Sequence, residues 1–135
     1  MSNQGQCRLI RSGETYDGKQ GFSYLQGISA ESVGAQGLCM HPLTIPPGGR
    51  AKAHLHSAHE TAIYVLSGAA EMWHGDRLQH CMQVGAGDML YIPAGEPHLP
   101  FNSGPESVVA VIARTDPNEQ ESVTLLPELE ALVLR

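Results

Sequence analysis

Residues 48 to 68 read GGRAKAHLHSAHETAIYVLSG, and the histidines in this stretch set the reading of the chain. His54, His56 and His59 fall close together, with Glu60 directly after them. On a strand, residues i and i+2 point to the same face, so His54 and His56 are expected to project together with Leu55 opposite. Two adjacent imidazoles repel once protonated and gain little from packing. A divalent cation stabilises the pair, because each neutral ring offers a lone pair. An HxH pair alone is a weak signal, since exposed strands carry such pairs by chance. Glu60 adds a carboxylate just after a turn, close enough to complete a site; by itself it reads as a solvated turn residue.

Working outward, turn formers divide the chain into short apolar runs. Leu38 to Ile45 reads as a strand closed by Pro46-Pro47-Gly48-Gly49. Arg50 to His56 alternates, and Thr61 to Leu66 has strand composition up to Ser67-Gly68. Ala69 to Trp73 and Leu78 to Val84 flank a hairpin turn at His74-Gly75-Asp76. Met89 to Ile92 and His98 to Phe101 follow, separated by Pro93-Ala94-Gly95-Glu96-Pro97. Ser107 to Ala113 is the cleanest strand and is apolar at both parities, so its second face is expected to be covered by a terminal segment or another subunit. A further strand is expected near Phe22 to Leu25. Leu126, Leu129 and Val133 have helical spacing, with Pro127 suited to the first helical position. A short C-terminal helix is expected there, with a strand at Leu132-Val133-Leu134 as its competitor.

Composition supports this picture. The chain has 135 residues, a length that suits one domain. Charged residues make up 16%, under the usual ~25%, while 15 glycines and 9 prolines exceed the usual share. Long exposed helices, coiled coils and disorder are disfavoured; an all-β barrel or sandwich is favoured. The formal net charge of −6 and the lack of a basic cluster argue against a nucleic-acid partner. No run approaches the ~18 apolar residues of a membrane span, and Met1 to Ile10 lacks an apolar signal core. Cys7, Cys39 and Cys81 are odd in number and far apart, which reads as reduced thiols in a cytoplasmic protein.

The spacing of these residues resembles the cupin family. Its first motif is G-x5-H-x-H-x3,4-E-x6-G, matched by Gly48, His54, His56 and Glu60, with Gly68 closing after seven residues rather than six. The longer last gap compensates for the shorter x3 spacing. The second motif, G-x5-P-x-G-x2-H-x3-N, is matched by Gly87, Pro93, Gly95, His98 and Asn102. The resemblance implies a cupin-type double-stranded β-helix, or jelly-roll barrel, over residues 38–115. Residues 1–37 would form an irregular or strand segment that a dimer can exchange, and residues 116–135 a C-terminal segment. It implies one divalent transition metal (Mn, Fe, Ni, Zn or Cu) on His54, His56, Glu60 and His98, with two positions left open.

Lys52 and Arg50 share the strand parity of the two histidines, so Lys52, and Arg50 less strongly, are candidates to hold an anionic group of the substrate. Tyr64 is a further candidate for the pocket, Glu60 is a candidate base, and His59 is read as exposed or behind the metal ligands. His41, His74 and His80 are read as structural or surface residues, and Asn102 as scaffold. The expected function is a metal-dependent enzyme, oxygenase-like, acting on an oxygen-rich small molecule that is anionic or enolisable. The alternatives are a non-redox cyclase, isomerase or decarboxylase, and a non-enzymatic sensing barrel. The expected partners are a small-molecule substrate and a second copy in a homodimer.

Overall fold

The computed structural model describes residues 5–11, 15–17, 23–118 and 123–133. Two antiparallel sheets face each other. The first has six strands, in the order β1 (Thr15–Asp17), β2 (Ser23–Leu25), β3 (Cys39–Ile45), β10 (Val108–Arg114), β5 (Thr61–Ser67) and β8 (Met89–Ile92). The second has five: β11 (Val123–Leu125), β4 (His54–His56), β9 (His98–Phe101), β6 (Ala69–His74) and β7 (His80–Gly85). The non-sequential orders come from strands that cross between the sheets, and the result is a jelly roll. Helices are short: α1 (Ala30–Val33), capped by Ser29, and α2 (Pro127–Glu130), which begins at the expected proline.

The interior follows from alternation. In β3 and β10 every second residue is buried, which turns Leu43, Ile45, Val108, Ala110 and Ile112 toward the other sheet. Val65, Met72, Val84 and Ile92 meet them there. A smaller cluster of Ala53, Leu78, Leu99 and Val133, with Leu126 and Leu129 against it, fastens the C-terminal segment to the five-stranded sheet. Leu134, part of the competing C-terminal strand, and Phe22 lie outside the described residues. The β1–β2 hairpin extends the first sheet at β3 of the same chain, through Tyr24 opposite Leu43.

The turn formers close the barrel. Gly68 sits at φ +81, and a Cβ there would lie 2.9 Å from Val108 Cα and collide with the Ser107 carbonyl, so only glycine lets β5 turn into β6 against β10. Gly48 and Asn102, the outermost positions of the two motif matches, clasp each other: Gly48 N–H donates to Asn102 O at 2.7 Å, and Asn102 N–H to Gly49 O at 2.8 Å. The Asn102 side chain is fully buried. Its Nδ2 donates to Ile45 O at 2.9 Å and Glu106 O at 2.8 Å, and its Oδ1 accepts from Gly104 N–H at 3.0 Å. Asn102→Ala removes these three hydrogen bonds and is expected to cost about 3 kcal/mol of stability. Urea unfolding checks this; a change under about 0.5 kcal/mol, the size of an ordinary surface substitution, would show that the clasp adds nothing.

Candidate metal centre

His54, His56 and His98 converge between the two sheets. His54 is directly opposite His98 across β4 and β9, and His54 and His56 project to the same side as their i, i+2 spacing requires. All three are buried. Their ring centroids are 4.2 Å (His54–His98), 5.1 Å (His54–His56) and 5.4 Å (His56–His98) apart. One nitrogen from each lies within 4.8 Å of the others.

The donors fit a transition metal. His54 Nδ1 is 2.6 Å from Lys52 O, and His98 Nδ1 is 2.9 Å from Glu96 O. A carbonyl only accepts, so each ring carries its proton on Nδ1 and keeps the Nε2 lone pair, the arrangement usual for metal-bound histidine. His56 Nδ1 is buried with no hydrogen-bond partner. Burial holds all three rings neutral: His98 is lowered to about 4, and His54 and His56 are lowered as well, with the Arg114 charge acting in the same direction. Neutral rings are the metal-binding form.

Glu60 does not join this group. It is exposed, and its Oε1 accepts a 2.8 Å hydrogen bond from Tyr91 OH, which raises the Tyr91 pKa. The reason is strand register. Glu60 N–H donates to Thr115 Oγ1 at 3.0 Å and Glu60 O accepts from Thr115 N–H at 3.1 Å, so residue 60 already lies on the β5–β10 ladder, one step before Thr61. Residues 61, 63 and 65 line the barrel interior; residues 60, 62 and 64 face out. Counted back from Gly68 with the six-residue gap of the motif, the inward position is Thr61, not Glu60. The signal was therefore in the spacing, and the extra residue before Gly68 marked it. Tyr64 shares the parity of Glu60 and stands on the outer face, 41% exposed, so it does not line the pocket.

Lys52 and Arg50 are also outside the cavity. Both are exposed, and Arg50 bridges to Phe101. The regular strand begins only at His54. Ala53 and His54 are buried in succession, so a bend breaks the parity that was extended back from the histidines.

Two other buried groups lie close to the histidines. Arg114, at the end of β10, is 5% exposed and lies on the cavity wall with the three histidines and Thr61. His59 is buried beside His56, with ring centroids 4.5 Å apart, and its Nδ1 is 3.4 Å from Asp116 Oδ2. The remaining histidines are structural or peripheral. His41 is buried under Arg114, His74 pairs with Glu96, and exposed His80 lies beside His74. Apart from Glu71, the rest of the cavity is apolar, formed by Leu43, Ile63, Val65, Met72, Leu90 and Ile112 among others.

The jelly roll, the paired histidine strand and the facing third histidine define a small barrel whose histidine cluster fits a metal ion. The Cupin domain family model matches residues 43–113, more than half of the chain, and the chain belongs to the cupin family. Among solved structures it is similar to the polyketide cyclase RemF from Streptomyces resistomycificus, with 20% identity and a TM-score of 0.73 over 96% of this chain and 94% of that one. It is similar to a conserved double-stranded β-helix protein from Klebsiella pneumoniae, with 22% identity and a TM-score of 0.63 over 87% and 88%. It also resembles Lactobacillus farciminis oxalate decarboxylase, with 21% identity and a TM-score of 0.69; the match covers 88% of this chain but 35% of that one. No curated protein matches the chain. Among the described residues, no helix is long and apolar enough to cross a membrane.

Proposed function

We propose that this chain is a metal-dependent small-molecule enzyme, oxygenase-like, in which His54, His56 and His98 hold one divalent transition metal inside the barrel. The observation that carries the reading is the convergence of three buried, neutral histidines at a largely apolar cavity. Bound there, a transition metal supplies Lewis-acid polarisation of substrate oxygens and, where it is redox-active, electron transfer to dioxygen. The protein's own part is to hold the imidazoles neutral by burial, while the Lys52 and Glu96 carbonyls fix the Nδ1–H tautomers of His54 and His98. The apolar walls exclude water and seat the substrate body.

A second, non-redox reading rests on His59. A buried imidazole paired with a carboxylate stands directly behind His56, off the cavity wall, where it would support the proton movements that cyclase, isomerase or decarboxylase chemistry requires. Elemental analysis of the purified protein tests the metal, and a panel of diketones, enediols and catechols tests the chemistry. Stoichiometric oxygen uptake supports the oxygenase. Turnover without uptake, abolished in His59→Gln at unchanged metal content, supports the proton-transfer reading. Less than about a tenth of an equivalent of metal removes both, because a functional site needs its metal near full occupancy.

The chain is further proposed to form a homodimer through the outer face of the six-stranded sheet. Tyr64, Leu66, Met89 and Tyr91 are exposed there side by side, and the outer residues of β10, Val109 and Val111, are only half-buried. A contiguous apolar face of this kind marks an association surface. Light scattering is expected to give the dimer mass at micromolar concentration, and a Tyr64→Lys, Met89→Lys double variant the monomer mass. A wild-type monomer refutes the proposal.

A further inference from the structure

We infer that Arg114 and Thr61 form an anion subsite inside the barrel, which takes the carboxylate of a substrate whose apolar body fills the cavity. This rests on the reading of the barrel cavity as the substrate site.

Arg114 is a buried cation. No carboxylate of the described residues forms an ion pair with it. Its Nη1 is 3.1 Å from His41 Nε2, a neutral acceptor, and it is hydrogen-bonded to the Cys39 side chain, also neutral because burial raises the thiol pKa. Its Nε is buried with no hydrogen-bond partner. Thr61 lies directly across the β5–β10 ladder from Arg114, is 3% exposed, and its Oγ1 is likewise buried with no partner. His56 Nδ1 is a third such atom on the same wall. Buried polar atoms are normally satisfied, so their concentration around one cavity marks the place of a missing ligand.

Charge decides what that ligand is. Nearby carboxylates are already engaged. Asp116 is held by His59 and Asn118; Glu71, elsewhere on the cavity wall, accepts from Trp73 at 2.9 Å and Ser103 at 2.8 Å; and Glu60 faces out. A divalent ion on three neutral imidazoles keeps its full double charge, which adds to that of Arg114. Burying this much positive charge unpaired is strongly unfavourable, whereas a carboxylate between the guanidinium and the hydroxyl satisfies both donors at once. A guanidinium presents a planar fork matched to two carboxylate oxygens. The apolar remainder of the cavity selects a hydrocarbon body over a small hydrophilic anion.

The probe pair is hexanoate and hexanamide, which differ in charge and scarcely in shape. Calorimetric titration of the full chain, both as purified and after chelation, is expected to show about tenfold or greater preference for hexanoate in both forms. Arg114→Gln is expected to abolish the preference without weakening hexanamide. Thr61→Val, which keeps the shape and removes the hydroxyl, is expected to reduce it several-fold, and it carries the test should Arg114→Gln fail to fold. Equal affinity for the two probes overturns the subsite. So does a preference that survives Arg114→Gln, or one that disappears on chelation, since the carboxylate then sits on the metal. A preference that persists in protein with no metal after purification leaves the subsite standing and removes the metal-dependent reading, so the two failures are distinguishable.

Discussion

Replacing His98 by alanine is expected to lower divalent-metal affinity roughly a hundredfold, while Glu60→Ala leaves it within about twofold. The magnitude follows from ligand count. Structural zinc sites with four protein ligands bind with about 10–16 kcal/mol, or roughly 3 kcal/mol per ligand, and about 1.4 kcal/mol is tenfold. His98 supplies one of the three converging nitrogens, and its Nδ1–H is already committed to the Glu96 carbonyl, so no neighbour substitutes for it. Glu60 is bonded to Tyr91 on the outer face, and its removal touches none of the three rings. Competition against a chromophoric chelator measures both variants. A hundredfold loss in Glu60→Ala would mean that the segment before β5 shifts register on metal binding and that the four-ligand set implied by the family motif is the true one.

Acid is expected to destabilise the metal-free protein between about pH 6.5 and pH 4, with His41 alone contributing about 3 kcal/mol of the loss. Burial, then the charge of Arg114, lower its folded-state pKa to about 4, and the Pro42 carbonyl opposes them weakly. The sign follows from proton counting. Between the folded value and the ordinary 6.5 of an exposed histidine, the unfolded chain binds a proton that the folded chain refuses. The contribution is therefore complete above pH 6.5 and lost as pH falls toward 4. His41→Gln keeps an acceptor for Arg114 and removes the titration. Urea unfolding of both proteins from pH 7 to pH 4 isolates the effect, because the other buried histidines act equally in each. The stability gap is expected to shift by about 3 kcal/mol in favour of the variant on acidification; parallel curves would show that His41 is accessible to protons in the folded state.

The barrel was legible because its information is local. Turn formers at Gly48, Gly68, Gly87 and Gly95 punctuate strands whose alternation needs no partner to be read, and the strand over Ser107–Ala113 was found one residue from its place. The two-residue spacing of His54 and His56 placed both imidazoles on one face by backbone geometry alone. His98 was legible only through the family motif, since a lone histidine after a proline-rich turn carries no chemistry by itself.

Where parity was extended beyond a regular strand, it misdirected. The bend at Ala53 uncoupled Lys52 and Arg50 from the histidines, and the extra residue before Gly68 exchanged Glu60 for Thr61 on the inner face. The sequence by itself determined a jelly roll with two histidines on one strand face, because strand period and turn chemistry are properties of neighbouring residues. Only the tertiary structure decided that Thr61 and Arg114, 53 positions apart, stand opposite each other at the histidines. That placement depends on how β5 and β10 register across the sheet, a contact between distant segments that no local pattern encodes.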